Sequence, residues 1–231
     1  MTDVRSETSS PFTLLALNAG VSDPSSTKIL AERSGVAAIE HLQSLGKEAR
    51  LECVDLAPLA SQIMSSLLSA TPLPEVQSLM EKMARADALV VATPVYKAGV
   101  SGLFKTFIDT LENDLIVAKP VILAATAGTS RHAMVVDEQM RPLFAFLRAL
   151  PVPTSLFATA EDWSDPGFAS RIKRAGVELA ELVASGAPQA ISGASWARYN
   201  REFGSTAGAV QGREELDFDT DLMRLAAGGD S

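Results

Sequence analysis

Residues 88 to 99 read Ala-Leu-Val-Val-Ala-Thr-Pro-Val-Tyr-Lys-Ala-Gly, an apolar run followed by a Thr-Pro turn. Ala88–Ala92 has the length and composition of a buried parallel strand. Ser101–Leu111 follows with apolar residues at helical spacing. The turn is therefore expected at the carboxyl edge of a sheet, where open α/β proteins bind ligands. Its amides and its tyrosine ring favour a flat, conjugated cofactor.

Strand-like and helix-like segments alternate on both sides of this stretch. Strands are predicted at Phe12–Asn18, Arg50–Leu56, Ala88–Ala92, Pro120–Ala125 and Thr154–Ala158. Helices are predicted at Ser25–Leu45, Pro74–Ala86, Ser101–Leu111, Arg131–Leu150 and Asp165–Ser185, with a variable connection at Ala57–Thr71. This alternation predicts βαβ units. Because crossovers are right-handed, a doubly wound, five-stranded parallel sheet of order 2-1-3-4-5 is the simplest α/β topology.

The composition excludes several classes of function. The chain has 231 residues, of which 47% are hydrophobic, and a net charge of −8, which argues against a nucleic-acid partner. Its apolar runs fall short of the roughly 20 residues that span a bilayer, so we expect no membrane segment. The single cysteine, Cys53, excludes an internal disulfide and indicates a cytoplasmic protein. One cysteine and two separated histidines argue against a metal site.

The chain divides into three parts by pattern. Residues 1–11 are predicted to form a disordered tail, residues 12–187 one cofactor-binding domain, and residues 188–231 an acidic C-terminal extension. The extension contains a short acidic helical pattern at Glu214–Leu225. Its alternating aspartates lack the glycine and the closing glutamate of a calcium loop, so a solvated acidic face is favoured.

Two further loops follow predicted strands at the same edge of the sheet. Ser22, Ser25, Ser26 and Thr27 bring hydroxyls to the start of the first helix, where backbone amides suit a phosphate. Ser25 or Ser26 capping the helix is the alternative. In the loop after the fourth strand, Gly128 permits close backbone approach and Thr129 reaches polar ring edges. His132 is a donor to a ligand carbonyl or an ordinary surface residue. Dinucleotide, Walker and serine-hydrolase motifs are absent.

Together these residues resemble the NAD(P)H-dependent FMN reductases of the flavodoxin-like superfamily, the reductase component of two-component flavin-dependent monooxygenases. The resemblance covers about residues 12–185. It is carried by Ser22-x-x-Ser25-Ser26-Thr27, Ala92–Ala98, Gly102–Asp109, Ala125–Thr129 with His132, and Val136-Asp137-x-x-x-Arg141-Pro142. Within the family, the chain resembles the alkanesulfonate-type reductases, including a branch associated with luciferase-like monooxygenases. Many relatives carry arginine in the phosphate loop, where this chain has Asp23 or Pro24.

The resemblance implies FMN and NAD(P)H as cofactors, and hydride transfer from nicotinamide to the flavin N5 without an obligate catalytic side chain. It implies that the phosphate is held by Ser22, Ser25, Ser26 and Thr27, and the ribityl chain and one ring edge by Thr93, Pro94, Val95, Tyr96 and Lys97. Binding of an NADPH phosphate is the alternative role for Lys97. Gly128, Thr129 and His132 would line the polar side of the ring. The expected partners are a flavin-dependent monooxygenase and further copies of the chain in a homodimer or homotetramer. The alternatives are a reductase of quinones, azo dyes or metals that retains FMN, and a flavodoxin-like electron carrier.

Overall fold

The computed structural model describes residues 10–193. The predicted disordered tail therefore lies outside the described residues except at positions 10 and 11. The predicted acidic extension lies outside them beyond residue 193, including its helical pattern at Glu214–Leu225. Within the described part, no helix combines the length and the apolar character needed to cross a membrane.

Within residues 10–193, seven strands form one sheet. They are β1 (Phe12–Asn18), β2 (Ala49–Asp55), β3 (Ala88–Tyr96), β4 (Gly99–Val100), β5 (Pro120–Thr126), β6 (Leu150–Pro151) and β7 (Leu156–Ala158). The parallel order is β2-β1-β3-β5, and β6 and β7 pair with the beginning and the end of β5. Since β6 and β7 together take the place of a fifth strand, the predicted order 2-1-3-4-5 is confirmed. Only β4 among these strands is antiparallel to its neighbour, β3.

Helices cover both faces of this sheet. They are α1 (Ser26–Ser44), α2 (Ala60–Ser69), α3 (Pro74–Arg85), α4 (Gly102–Asp109), α5 (Arg141–Phe146), α6 (Pro166–Ala184) and α7 (Ala187–Ile191). Successive residues of β1 point to opposite faces, as the pleat requires. Leu14 packs in the cluster with α1 and α6, whereas Leu15 packs in the cluster with α2, α3 and α4. The doubly wound α/β class is therefore confirmed.

The two long helices approach each other closely. A Cβ added at Gly176 of α6 would lie 2.7 Å from the carbonyl carbon and the Cβ of Ala37 in α1. On another side of α1, a Cβ at Gly35 would lie 2.6 Å from Leu51 of β2. At Gly176 the nearest atoms include the backbone of α1, so a side chain there would push the two helices apart. At Gly35 the nearest atoms are the tip of the Leu51 side chain, which would have to move to make room.

Strand β3 is longer than predicted, and the prediction that it ends at Ala92 before a Thr-Pro turn is wrong. β1 pairs with β3 only as far as Ala92, so the later part of β3 has one open edge. A proline is tolerated there because a missing N–H breaks no sheet hydrogen bond on that side. The turn falls at Lys97 and Ala98, with φ of 50° and 64°, as in a tight two-residue hairpin.

Two further predictions are corrected. The connection at Ala57–Thr71 contains α2, whose pattern is obscured because Met64 and Leu68 are exposed apolar residues on a helix that buries Ile63. The helix predicted at Arg131–Leu150 is interrupted. It comprises a single 3₁₀ turn at Ser130–His132, a π-helical turn at Val136–Met140 and then α5.

Proline chemistry explains that interruption. Pro142 has no N–H, and its ring crowds the carbonyl four residues earlier, so a regular α-helix cannot pass through it undisturbed. A π-helical turn is one way in which a helix accommodates such a break. α5 ends at Phe146 because Arg148 adopts a left-handed φ of 58°.

Candidate functional site

A cleft of about 490 Å³ opens at the carboxyl edge of the sheet. Its lining comes from the carboxyl ends of β3, β5 and β7 and from the segments that follow β1, β5 and β7. These strands lie side by side, so their ends meet at one edge, as the sequence pattern predicts for an open α/β sheet.

The segment after β1 is held by a network of polar side chains. The amide of Gly20 donates to Asn18 Oδ1 over 2.8 Å, and Asn18 Nδ2 donates to Asp55 Oδ1 over 3.1 Å. Lys28 Nζ lies 2.7 Å from the other carboxylate oxygen of Asp55. Burial raises the pKa of Asp55, but the hydrogen bonds from Lys28 and Asn18 outweigh it, so this pKa lies below its usual value. The network therefore keeps Asp55 charged and fixes the start of the loop.

The predicted phosphate-binding residues divide into two groups. Ser22, Ser26 and Thr27 line the cleft. Ser25 is buried, and its Oγ accepts the amide of Lys28 over 3.2 Å, so it caps α1. The capping alternative thus applies to Ser25, and any contact of Ser25 with a phosphate stays a prediction.

Some of the predicted residues of β3 and its hairpin turn line the cleft, and others do not. Pro94, Val95 and Tyr96 line the cleft. Thr93 is fully buried, and its Oγ1 accepts the amide of Ser101 over 3.1 Å, so it fastens β3 to the start of α4. Lys97 occupies the hairpin turn and does not line the cleft. Contacts of Thr93 and Lys97 with a ligand stay predictions.

The segment after β5 contributes Thr126, Ala127 and Gly128 to the cleft. Thr129 caps the 3₁₀ turn by accepting the amide of Arg131 over 3.2 Å. His132 Nε2 lies 3.3 Å from Nε of Arg131. Neither Thr129 nor His132 lines the cleft, so their contacts with a flavin ring also stay predictions.

Sequence reasoning missed a fourth segment, the one after β7. Ala158, Thr159, Ala160 and Trp163 line the cleft. The amide and hydroxyl of Thr159 both donate to Asp162 Oδ2, over 2.6 and 2.7 Å, which shapes the loop. The signal was available, since a loop after the last strand of the sheet must reach the same edge.

The Trp163 ring is fixed from two sides. The guanidinium carbon of Arg33 in α1 lies 5.3 Å from the ring centroid, and the Phe168 ring meets it edge-on at 5.5 Å. A cation over an indole face and an edge-on ring pair are both favourable geometries. The cleft therefore has a held aromatic side chain in the segment that follows β7.

The cleft is suited to binding more than to acid–base chemistry. The lining residues, which all belong to the described chain, are neutral and contribute hydroxyls, backbone groups and two aromatic rings. Residues 10–193 also contain no group of histidine, cysteine, aspartate and glutamate side chains that could hold a metal ion. Such a site can hold and orient a cofactor that carries its own reactivity.

Comparison with known proteins agrees with this description. The model of the family described as NADPH-dependent FMN reductase matches residues 12–164. The NADH-dependent FMN reductase SfnE of Pseudomonas putida is 38% identical over 173 residues, which cover 74% of this chain and 90% of that protein. A solved oxidoreductase from Corynebacterium diphtheriae has a TM-score of 0.74 and 37% identity, and the match covers 77% of this chain and 99% of that one.

The fold is shared more widely. A WrbA-like flavodoxin protein from Agrobacterium tumefaciens has a TM-score of 0.53 at 17% identity, over 76% of this chain and 99% of that chain. This likeness confirms the flavodoxin-like fold alone, whereas the matches at higher identity identify the family. The chain belongs to the NADPH-dependent FMN reductase family.

Proposed function

We propose that this protein reduces FMN with NADH or NADPH and that FMN binds in the cleft at the carboxyl edge of the sheet. The observation that carries the proposal is that one cleft combines hydroxyls at a helix start with aromatic and apolar side chains further along. FMN has the corresponding two parts, a phosphate and a flat ring system.

The α1 end of the cleft fits a phosphate. Ser22, Ser26 and Thr27 supply hydroxyls there. The first amides of a helix have no partner within the helix, and its dipole favours an anion at this end. α1 lies wholly within the described residues and has no acidic residue in its first turn. We propose that these three residues and the first amides of α1 hold the phosphate.

The rest of the cleft fits a ring system. Pro94, Val95 and Tyr96 form one wall of the cleft. Trp163 follows β7, and β5 lies between β7 and β3 in the sheet, so Trp163 belongs to the opposite wall. A Cβ at Gly128 would meet no described atom within 4 Å, so the backbone there is open to close approach. When bound, FMN would supply the chemistry by accepting a hydride from NAD(P)H at N5. The protein binds, orients and partly shields the ring.

The destination of reduced FMN is a separate part of the proposal. We propose that it leaves for a partner flavin-dependent monooxygenase, which the resemblance to alkanesulfonate-type reductases supports. We also propose a homodimer or homotetramer in which a second copy closes the open wall of the cleft. Tyr96 is 48% exposed, so one face of this wall is free to meet another surface. The single cysteine supports a cytoplasmic setting.

The test follows the nicotinamide absorbance of NADH and of NADPH with FMN, FAD or riboflavin as acceptor. We expect FMN-dependent oxidation. The variants Ser22→Ala and Ser26→Ala should raise KM for FMN while leaving KM for riboflavin unchanged, because riboflavin has no phosphate. Ser170→Ala is the matched control, since this serine lies on α6 and bonds to its own helix. Absence of FMN-dependent oxidation in the wild type overturns the proposal.

The same preparation separates the alternatives. FMN that stays bound through gel filtration and passes electrons to a quinone would favour the reductase that retains its flavin. A stable one-electron state during reductive titration, with no oxidation of NAD(P)H, would favour the electron carrier.

A further inference from the structure

The hairpin that carries Tyr96 extends beyond the parallel sheet. It has two residue pairs, Val95 with Val100 and Tyr96 with Gly99. Thr93 fastens its base to Ser101, but the tip lies further out. A hairpin this short is marginal on its own, so the position of its tip depends on outside contacts.

Gln139 supplies such contacts from the π-helical turn. Its Oε1 accepts the amide of Val100 over 3.1 Å, and its Nε2 donates to the carbonyl of Ala98 over 3.2 Å. One carboxamide therefore bonds to the turn and to the returning strand. A Cβ added at Gly99 would lie 3.0 Å from the same Oε1, so glycine leaves room for this contact.

The π-helical turn is itself well anchored. Val136 and Met140 at its two ends are fully buried. The next residue, Arg141, donates to Ser155 Oγ over 2.7 Å and to the carbonyl of Val152 over 3.2 Å. The turn is thus fixed to the segment between β6 and β7, and Gln139 projects from a rigid base to the exposed tip of the hairpin.

We propose that Gln139 is a positioning residue for the cofactor: by holding the tip of the hairpin, it keeps Tyr96 in the wall of the cleft. Gln139 does not line the cleft and acts through Tyr96. This inference rests on the proposed function, since Tyr96 is there assigned to the wall that flanks the flavin ring.

Binding is measured in a Trp196→Phe background, which leaves Trp163 as the sole tryptophan of the chain. Quenching of its fluorescence by added FMN gives Kd without turnover. We expect Gln139→Ala to weaken FMN binding by about fivefold to tenfold, the scale of one or two lost hydrogen bonds. Gln77→Ala is the matched control, because Gln77 is an exposed glutamine on α3 outside the cleft, and its Kd should equal that of the wild type.

A double-mutant cycle with Tyr96→Ala tests how Gln139 acts. Residues that act through one group show non-additive effects. If Gln139 works through Tyr96, Gln139→Ala should change Kd by less than about twofold once the Tyr96 ring is gone. An equal loss of affinity in both backgrounds would show that Gln139 does not act through Tyr96 and would overturn the inference.

Gly99→Ala provides a second route to the same answer. The added methyl group would press on Gln139 Oε1. We therefore expect Gly99→Ala to weaken FMN binding when Gln139 is present and to have little effect in the Gln139→Ala background. A wild type that binds no FMN would contradict the proposed function. A wild type that binds FMN and is unaffected by Gln139→Ala would contradict the positioning role alone.

Discussion

The hydroxyl oxygens of Thr27 and Thr126 lie 2.7 Å apart, and both side chains are buried. Thr27 is in the first turn of α1, which follows β1, and Thr126 ends β5. Because β3 lies between β1 and β5 in the sheet, this hydrogen bond joins segments from two strands that are not neighbours. Both residues line the cleft, Thr27 from the segment proposed to hold the phosphate and Thr126 from the end of β5. This hydrogen bond therefore fixes the first turn of α1 relative to the end of β5.

Removing one hydroxyl of this pair should cost stability. Thr27→Val keeps the side-chain shape but leaves the Thr126 hydroxyl without its partner, and we expect a loss of about 1–3 kcal/mol in the free energy of unfolding. The double variant Thr27→Val/Thr126→Val should recover most of this lost stability. Its FMN binding should be weaker than in the wild type, because the Thr27 hydroxyl that is proposed to hold the phosphate is missing. Urea unfolding and FMN titration measure the two effects. A double variant as unstable as the sum of the single variants would contradict the expectation.

Asp23 places a carboxylate in the loop that is proposed to hold the phosphate. Two unit charges about 4 Å apart interact by about 1 kcal/mol in water, so Asp23→Asn should strengthen FMN binding by about twofold to fivefold. Riboflavin, which lacks the phosphate, should bind as before, and added salt should shrink the difference. Glu40→Gln, an exposed change further along α1, is the control. Equal strengthening for both flavins would show that the effect is not electrostatic.

Trp163 should report directly on occupancy of the cleft. In the Trp196→Phe background we expect FMN and riboflavin to quench its fluorescence, because the ring lines the cavity. Inorganic phosphate, which would occupy only the α1 end, should leave the fluorescence nearly unchanged. Quenching by phosphate and not by riboflavin would mean that the ring system lies elsewhere.

Lys119 gives the protein a distinctive stability profile at alkaline pH. Its ammonium group donates to the carbonyls of Ala84 and Ala86 at the end of α3. Burial lowers its pKa from 10.5 to about 8, although the Asp87 carboxylate acts in the opposite direction. Between these values the unfolded chain binds the proton more tightly, so the free energy of unfolding should rise with pH, by up to about 3 kcal/mol.

The comparison with Lys119→Met isolates this contribution. The free energy of unfolding of both proteins is measured in urea at several pH values from 8 to 10.5. As pH rises, the wild type should become more stable relative to the variant. A difference that stays constant with pH would show that Lys119 has an ordinary pKa in the folded protein.

The parallel core could be predicted because its strands are continuous apolar runs with helices between them. The extent of β3 could not be, because the effect of Pro94 depends on where β1 stops pairing, which is a tertiary fact. The π-helical turn shows the same difficulty. Pro142 signals a break in the helix, but its form depends on contacts such as that of Gln139 with the hairpin.

The site was predictable as a set of loops and less so as a set of side chains. Position after a strand brought Ser22, Ser26 and Tyr96 to the cleft. The same position does not reveal that the Ser25 hydroxyl points to its own helix or that Thr93 faces α4. Sequence places residues near an edge, whereas side-chain direction depends on the partner that each hydroxyl finds.

The close packing of α1 has a consequence for how such a site can change. Gly176 touches no part of the cleft, yet it fixes the helix whose first turn carries Ser26 and Thr27. In a library of random variants screened for flavin affinity, Gly176 would tolerate as little change as the residues of the cleft itself, because its neighbours are backbone atoms of α1. Substitutions that change flavin preference would then occur in the exposed loops, while the position of α1 stays the same.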